Sequence, residues 1–399
     1  MRIVHLSDLH LGFRQFQRVT PGGINQREAD VARAFANAVD KIIAIRPDVV
    51  CIAGDVFHTV RPTNPAILHA FTQFSRLTQE LPETDVIMVA GNHDLPRSSE
   101  TVCMLRLFSQ LRGVSVADTA LHRFRFPERS LSVLAVPELT NQPVAYDPDP
   151  SAKYNVLLAH AEVEGIHPED ERADEHTSLK LPPAVVASQE WPYIALGHYH
   201  VYRRVGPNAY YSGALEYASS SFWTELATQR REKLPGKGLI ERDLDSGKQT
   251  FHPLPTVREF VDLPLLKAKG LSAAELDVAI GASVDRIVGG VDGKVVRLVV
   301  SDVPRHIVRE LDHKALRDLQ RRALHFQLDT RRPELIPSEG SGAPGRRPSL
   351  ADTLRESLRG RELSPDIDRE RLIELGMRYL ADAEQVGAMQ GQSAPDDES

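Results

Sequence analysis

The sequence predicts an α/β fold: a layered N-terminal domain, a second, smaller α+β domain and C-terminal helices. Three observations predict it. Short apolar runs alternate with helical patterns from residue 1 to about 255, the arrangement of βαβ units. Those runs are apolar throughout rather than alternating, as in strands covered on both faces. The pattern then changes character near residues 256 and 337.

In chain order, residues 3–6, 49–53, 86–90, 114–116, 131–136, 156–159 and 193–196 read as strands, with helices at 26–45 and 64–81. They make up an expected first domain, 1–255. In the expected second domain, 256–336, residues 260–263 and 294–300 read as strands and 272–281 and 311–319 as helices. Residues 337–349 are dominated by Ser, Gly and Pro and read as a flexible linker. Leu350, Leu354 and Leu358 then recur at a spacing of four, one face of a helix. Gly360 and Pro365 mark a break. Leu372, Ile373, Leu375, Tyr379 and Leu380 suggest a second helix, so 350–388 reads as a helical pair. The polar residues 389–399 read as a disordered tail.

Bulk properties narrow the class. A length of 399 residues suggests two or three domains, at about 100 to 200 residues each. Hydrophobic residues are 41% and charged residues 26%, the balance of a soluble globular protein. Cys51 and Cys103 sit in apolar runs and imply buried thiols rather than a disulfide scaffold. The chain opens directly on a strand, without a signal-peptide pattern, and holds no run of 18 apolar residues. A cytoplasmic protein that crosses no membrane is expected. The net charge of −7 offers no overall basic footprint for nucleic acid. A divalent-metal site with local basic patches can offset it.

Five motifs that follow apolar runs carry the chemistry. Asp8-Leu9-His10 puts a carboxylate and an imidazole two residues apart, on one side of an extended chain. Gly54-Asp55-Val56-Phe57-His58 offers a carboxylate whose two oxygens can each take a metal. In Gly91-Asn92-His93-Asp94 the glycine permits a sharp turn, and Asn92 adds a hard oxygen beside His93. His160 follows the next run, and Gly197-His198-Tyr199-His200 places two imidazoles two residues apart. Singly, each motif is weak. Together they gather at the carboxyl ends of strands, where α/β folds place ligand sites. Carboxylate, amide oxygen and imidazole favour Mn²⁺, Fe or Zn over Ca²⁺ or Mg²⁺. Seven ligands exceed one tetrahedral ion and fit two. Two ions about 3.5–4 Å apart can clamp a phosphoryl group and activate water.

These motifs, in this order, resemble the calcineurin-like metallophosphoesterase superfamily over residues 1 to about 220. The resemblance implies a two-sheet α/β sandwich with the site at the strand ends. His58, three residues after Asp55, together with the second domain as a capping domain, the linker and the helical pair, resembles the SbcD-type DNA repair nuclease branch. Tyr211-Ser212-Gly213-Ala214-Leu215-Glu216 departs from that branch, in which Ser often follows the glycine. The resemblance implies one Mn²⁺ on Asp8, His10, Asp55 and His200, and another on Asp55, Asn92, His160 and His198. Mg²⁺, Fe or Zn could substitute. It also implies that His93 contacts the phosphate and serves the leaving group, with His58 supporting it. The implied partners are DNA, a coiled-coil SbcC-like ABC-type ATPase and a second copy of the chain, in the cytoplasm with the nucleoid.

Other features have two readings. Arg305, Arg309, Lys314, Arg317, Arg321, Arg322, Arg331 and Arg332 either contact phosphates or form a solvated face. Arg14, Arg18 and Arg27 either line a DNA channel or are surface arginines. The terminal helices either dock a partner or pack on the chain itself. His69, His122, His167, His176, His252, His306, His313 and His325 follow no motif and read as structural or exposed. The expected function is Mn²⁺-dependent double-strand exonuclease and single-strand endonuclease activity in DNA repair. The enzymatic alternative is a phosphatase or small-molecule phosphodiesterase. A non-catalytic scaffold would be favoured by missing ligands, and none is missing.

Overall fold

Two sheets of six strands face each other, because their strands bury side chains on both faces. The computed structural model describes residues 1–96, 102–138, 144–166, 179–333, 350–360 and 368–390. Its strands are β1 (Arg2–Leu6), β2 (Val49–Ala53), β3 (Asp85–Val89), β4 (Val114–Ala117), β5 (His122–Phe126), β6 (Leu131–Val136), β7 (Tyr154–His160), β8 (Glu162–Val163) and β9 (Lys180–Leu181). There follow β10 (Tyr193–Gly197), β11 (Arg203–Arg204), β12 (Ala209–Tyr211), β13 (Gly238–Asp243), β14 (Gln249–Pro253), β15 (Phe260–Asp262), β16 (Leu266–Lys267), β17 (Val295–Ser301) and β18 (His325–Thr330). The helices are α1 (Gln26–Ile45), α2 (Asn64–Glu80), α3 (Pro183–Ala187), α4 (Phe222–Glu232), α5 (Ala273–Val284), α6 (Arg305–Glu310), α7 (His313–Arg322), α8 (Leu350–Arg359) and α9 (Arg369–Gln390).

The first sheet runs β14-β13-β1-β2-β3-β4 and the second β11-β12-β10-β7-β6-β5. β1 to β4 are parallel, as are β6, β7, β10 and β12. Residues two apart share a face. Ile3, Val49, Cys51, Ile87 and Val89 therefore meet Val133, Val156, Leu158, Tyr193 and Ala195 of the second sheet. Val4, Leu6, Val50, Ile52 and Met88 face α1 and α2 instead. Asn25 caps α1 by accepting from Arg27 and Glu28, and Thr63 caps α2 by accepting from Ala66. The antiparallel β13–β14 pair that closes the first sheet had no counterpart among the predicted strands.

A third sheet lies in the segment expected as the cap. β15 and β16 flank one edge of β17 and β18 the other, all parallel, with α5, α6 and α7 in the crossovers. It is joined to the sandwich by Phe260, Val295 and Leu324 packing on Tyr217, Phe222 and Trp223. Arg258 grips Asp30 with two hydrogen bonds of 2.8 and 2.9 Å. Arg27 is fully buried here, donating to Asp30 at 2.9 Å and to the Tyr217 carbonyl at 2.7 Å. It is neither a surface arginine nor free to line a channel, the two readings the sequence offered. Its guanidinium also lies 5.0 Å from the centroid of the Phe260 ring.

Residues 1–333 and 334–399 are separate compact units. In the second, Leu358 and Leu354 lie 3.0 and 3.6 Å from the Cβ position of Gly376, so a small residue lets α8 and α9 approach closely. The linker expected at 337–349, most of the expected tail, His167 and His176 lie outside the described residues. Cys51 and Cys103 are buried free thiols, pushed up to about 12 by burial. Among the described residues, no helix is long and apolar enough to cross a membrane.

Candidate metal centre

Five strand ends converge at one edge of the sandwich. Asp8 and His10 follow β1, Asp55 follows β2, and Asn92 and His93 follow β3. His160 ends β7, and His198 and His200 follow β10 of the other sheet. Strand pleating does not bring these groups together as the sequence suggested. Asp8, His10, Asp55 and His198 lie past their strands with φ of 52, 45, 50 and 114°, in left-handed backbone that non-glycine residues adopt at a cost. Asp8 N and His10 N donate to the Gly54 and Asp55 carbonyls at 3.0 and 2.9 Å, which holds these turns.

The motif glycines are needed for space. A Cβ at Gly54 would overlap the His160 ring, and one at Gly91 would overlap the Asp55 carboxylate. At Gly197 it would overlap the Ala53 carbonyl. Gly91 does not have positive φ, so clearance rather than turning requires it.

The donor atoms face inward in a mixed oxygen and nitrogen set. Donor atoms of Asp8, His10 and His200 lie within 4.8 Å of one another, as do those of Asp8, Asp55 and His160, and of His10, His58 and His93. Asn92 Oδ1 joins the second group, 3.0 Å from His160 Nε2. Asp55 Oδ2 stands between the groups, 3.8 Å from His10 Nε2 and 3.5 Å from His160 Nε2. Asp55 Oδ1 instead accepts the His93 amide at 3.0 Å. One oxygen thus faces both groups, where the sequence reading gave each oxygen its own metal. These donors fit a two-metal centre.

Three of the four candidate imidazoles are held by a carbonyl or carboxylate at their other nitrogen. His160 Nδ1 meets the Ala53 carbonyl at 2.8 Å, His200 Nδ1 meets Glu225 at 3.3 Å, and His198 Nε2 meets Glu162 at 3.3 Å. His198 belongs to none of the three donor groups, and its Nδ1 is the nitrogen left for a metal. His93 Nδ1 donates to the His58 carbonyl at 2.7 Å. The His58 ring stacks on His93 at 5.2 Å, and its Nδ1 lies 3.3 Å from His10 Nδ1.

Burial governs the charge states. It raises the Asp8 carboxyl against the opposing pull of His160 and His200. It also lowers His198, but the Glu162 hydrogen bond and the nearby carboxylates reverse that into a net rise. Burial and the neighbouring Asp55 push Asp94 up to about 7. Asp94 accepts from the amides of Val56, Phe57 and Gly91 at 3.1, 2.9 and 3.1 Å, tying the second motif to the third.

Residues 1–226 match the family described as Calcineurin-like phosphoesterase. The chain belongs to that family. It is a phosphoesterase of a family that binds a dinuclear metal centre, and a hydrolase. Two similar proteins are each named "DNA double-strand break repair protein Mre11". The Methanococcus maripaludis protein is 26% identical over 253 residues, 61% of this chain and 63% of its own length. The Methanocaldococcus jannaschii protein is 26% identical over 292 residues, 69% of this chain and 72% of its own. The first match thus spans under two thirds of that relative.

In this phosphoesterase the sequence reading missed Glu162, Glu225 and Lys237. Glu225 and Lys237 form a buried ion pair behind His200. No motif marks them, since one is a helix glutamate and the other precedes a strand.

Proposed function

We propose that this chain is a Mn²⁺-dependent DNA nuclease of double-strand break repair, cutting double strands from an end and single strands internally. The observation that carries the reading is the approach of His10 and His200 Nε2, 2.9 Å apart beside Asp8. Asp8, His10, Asp55 and His200 would hold one ion, and Asp55, Asn92, His160 and His198 the other. Bound divalent ions supply Lewis acidity and a nucleophile at neutral pH. His93, oriented through Nδ1, presents Nε2 to the leaving oxygen, and His58 fixes that ring. DNA as substrate is supported by the names of the relatives. The segment 256–336 caps the site, and exposed Arg305, Arg309 and Arg317 reach phosphates. The 350–388 pair docks a coiled-coil SbcC-like ATPase, and the chain acts as a homodimer in the cytoplasm, at the nucleoid.

The test is the purified chain with Mn²⁺ and labelled double- and single-stranded DNA. Cleavage that needs the metal is expected. No cleavage with any divalent ion, with or without an ATPase partner, would overturn the proposal. The net charge of −7 favours a second reading, a phosphatase or small-molecule phosphodiesterase. That reading requires nucleotides or phosphoproteins to be turned over faster than DNA.

A further inference from the structure

We propose that Glu225 is a positioning residue for His200, and that Lys237 holds Glu225 in place. The inference rests on reading Asp8, His10 and His200 as metal ligands and adds two residues outside the five motifs.

Glu225 lies in the first turn of α4 and is 1% exposed. Its Oε1 lies 3.3 Å from His200 Nδ1 and accepts from the Ser219 hydroxyl. Its Oε2 accepts from Lys237 Nζ. Lys237 is buried too, and Nζ also donates to the His200 carbonyl at 3.0 Å. One ion pair therefore holds both the ring and the main chain of His200. The Tyr217 ring lies 4.5 Å from Lys237 Nζ and closes the pocket.

An imidazole offers the Nε2 lone pair only when its proton sits on Nδ1, and an acceptor at Nδ1 fixes that tautomer and the ring plane. The Glu225 carboxylate is such an acceptor. A buried ion pair is seldom more stabilising than apolar residues of the same volume, so stability alone gives it no reason to be here. Glu225 is also anchored from outside the centre. Trp223, on the same helix, donates to Gln327 of β18 at 3.2 Å and lies 4.8 Å from the Arg297 guanidinium of β17. The third sheet thus helps to place the residue that orients His200.

The experiment titrates Mn²⁺ into the full chain, with free Mn²⁺ counted by electron paramagnetic resonance. Wild type is expected to bind two ions. Glu225→Gln is expected to weaken one of them by roughly 10–100-fold and leave the other unchanged. The double variant Glu225→Gln/Lys237→Met leaves no buried charge unpaired, and it decides the matter if the single variant does not fold. Its loss should equal that of the single variant, and ¹⁵N spectra of the metal-free double variant should show mixed His200 tautomers. Wild-type affinity in the double variant would overturn the inference, because Glu225 would then serve only to neutralise Lys237. A wild-type chain that binds no Mn²⁺ would instead overturn the metal-centre reading beneath it.

Discussion

His10 Nε2 and His200 Nε2 lie 2.9 Å apart, although 190 residues separate them and they extend from different sheets. Two lone pairs at that distance repel unless a proton or a cation lies between them. Burial, then the His200 charge, holds His10 well below the usual histidine range. Burial would lower His200 as well, but the Glu225 hydrogen bond and charge raise it to about 9. A divalent cation held between the two nitrogens would relieve that repulsion.

Metal should therefore stabilise the fold. Mn²⁺ at a hundred times its Kd should add about 2.7 kcal/mol, a Tm rise of a few degrees. His10→Ala should lose most of that rise. Equal melting in Mn²⁺ and in chelator would contradict the centre.

His93→Ala should retain both ions and lose hydrolysis by about 10²–10⁴-fold, the scale of a positioned proton donor. The His93 amide donates to Asp55, and the substitution leaves that bond intact. Mn²⁺ stoichiometry and turnover measured on one preparation separate the two effects. Metal loss in step with activity would contradict the assigned role.

The centre was legible because each proposed ligand sits in a short motif past an apolar run. The groups that orient it were not. Glu225 in Phe222-Trp223-Thr224-Glu225 looks like any helix glutamate, and only folding brings it within 3.3 Å of His200. Asp94 stood inside a quoted motif, but its three amide donors come from two loops joined only by folding. Arg27 looked exposed because a first-turn arginine usually is, and the burial comes from Phe260, more than 200 residues later. β18 was hidden within a run of arginines whose alternation is short.

Gly197→Ala should damage the centre without touching a proposed ligand. The added methyl would overlap the Ala53 carbonyl, which is the acceptor for His160 Nδ1. A loss of about 1–3 kcal/mol is expected from the overpacking, with weaker Mn²⁺ binding. Gly281→Ala is the control. That helix position has nothing within 4 Å, so it should be neutral or stabilise by about 0.5–1 kcal/mol. Thermal melts of both variants test the contrast, and equal effects would refute it.

His5 gives the pH dependence. It faces the second sheet from β1, fully buried, with Nδ1 2.9 Å from the Tyr193 hydroxyl and Nε2 3.1 Å from the Leu196 carbonyl. A neutral ring satisfies both, donating from Nε2 and accepting at Nδ1. Burial pushes its pKa down to about 3, only partly offset by the Leu196 bond. The unfolded chain binds this proton near pH 6.5, so protons favour unfolding. Stability from neutral His5 is complete above about pH 6.5. It falls by about 1.4 kcal/mol per unit as the pH drops from there towards 3. His5→Gln keeps a donor and an acceptor but does not titrate. Urea unfolding in chelator, from pH 7 to 4, should show wild type losing stability faster than the variant. Parallel profiles would mean that His5 takes up its proton without leaving the fold.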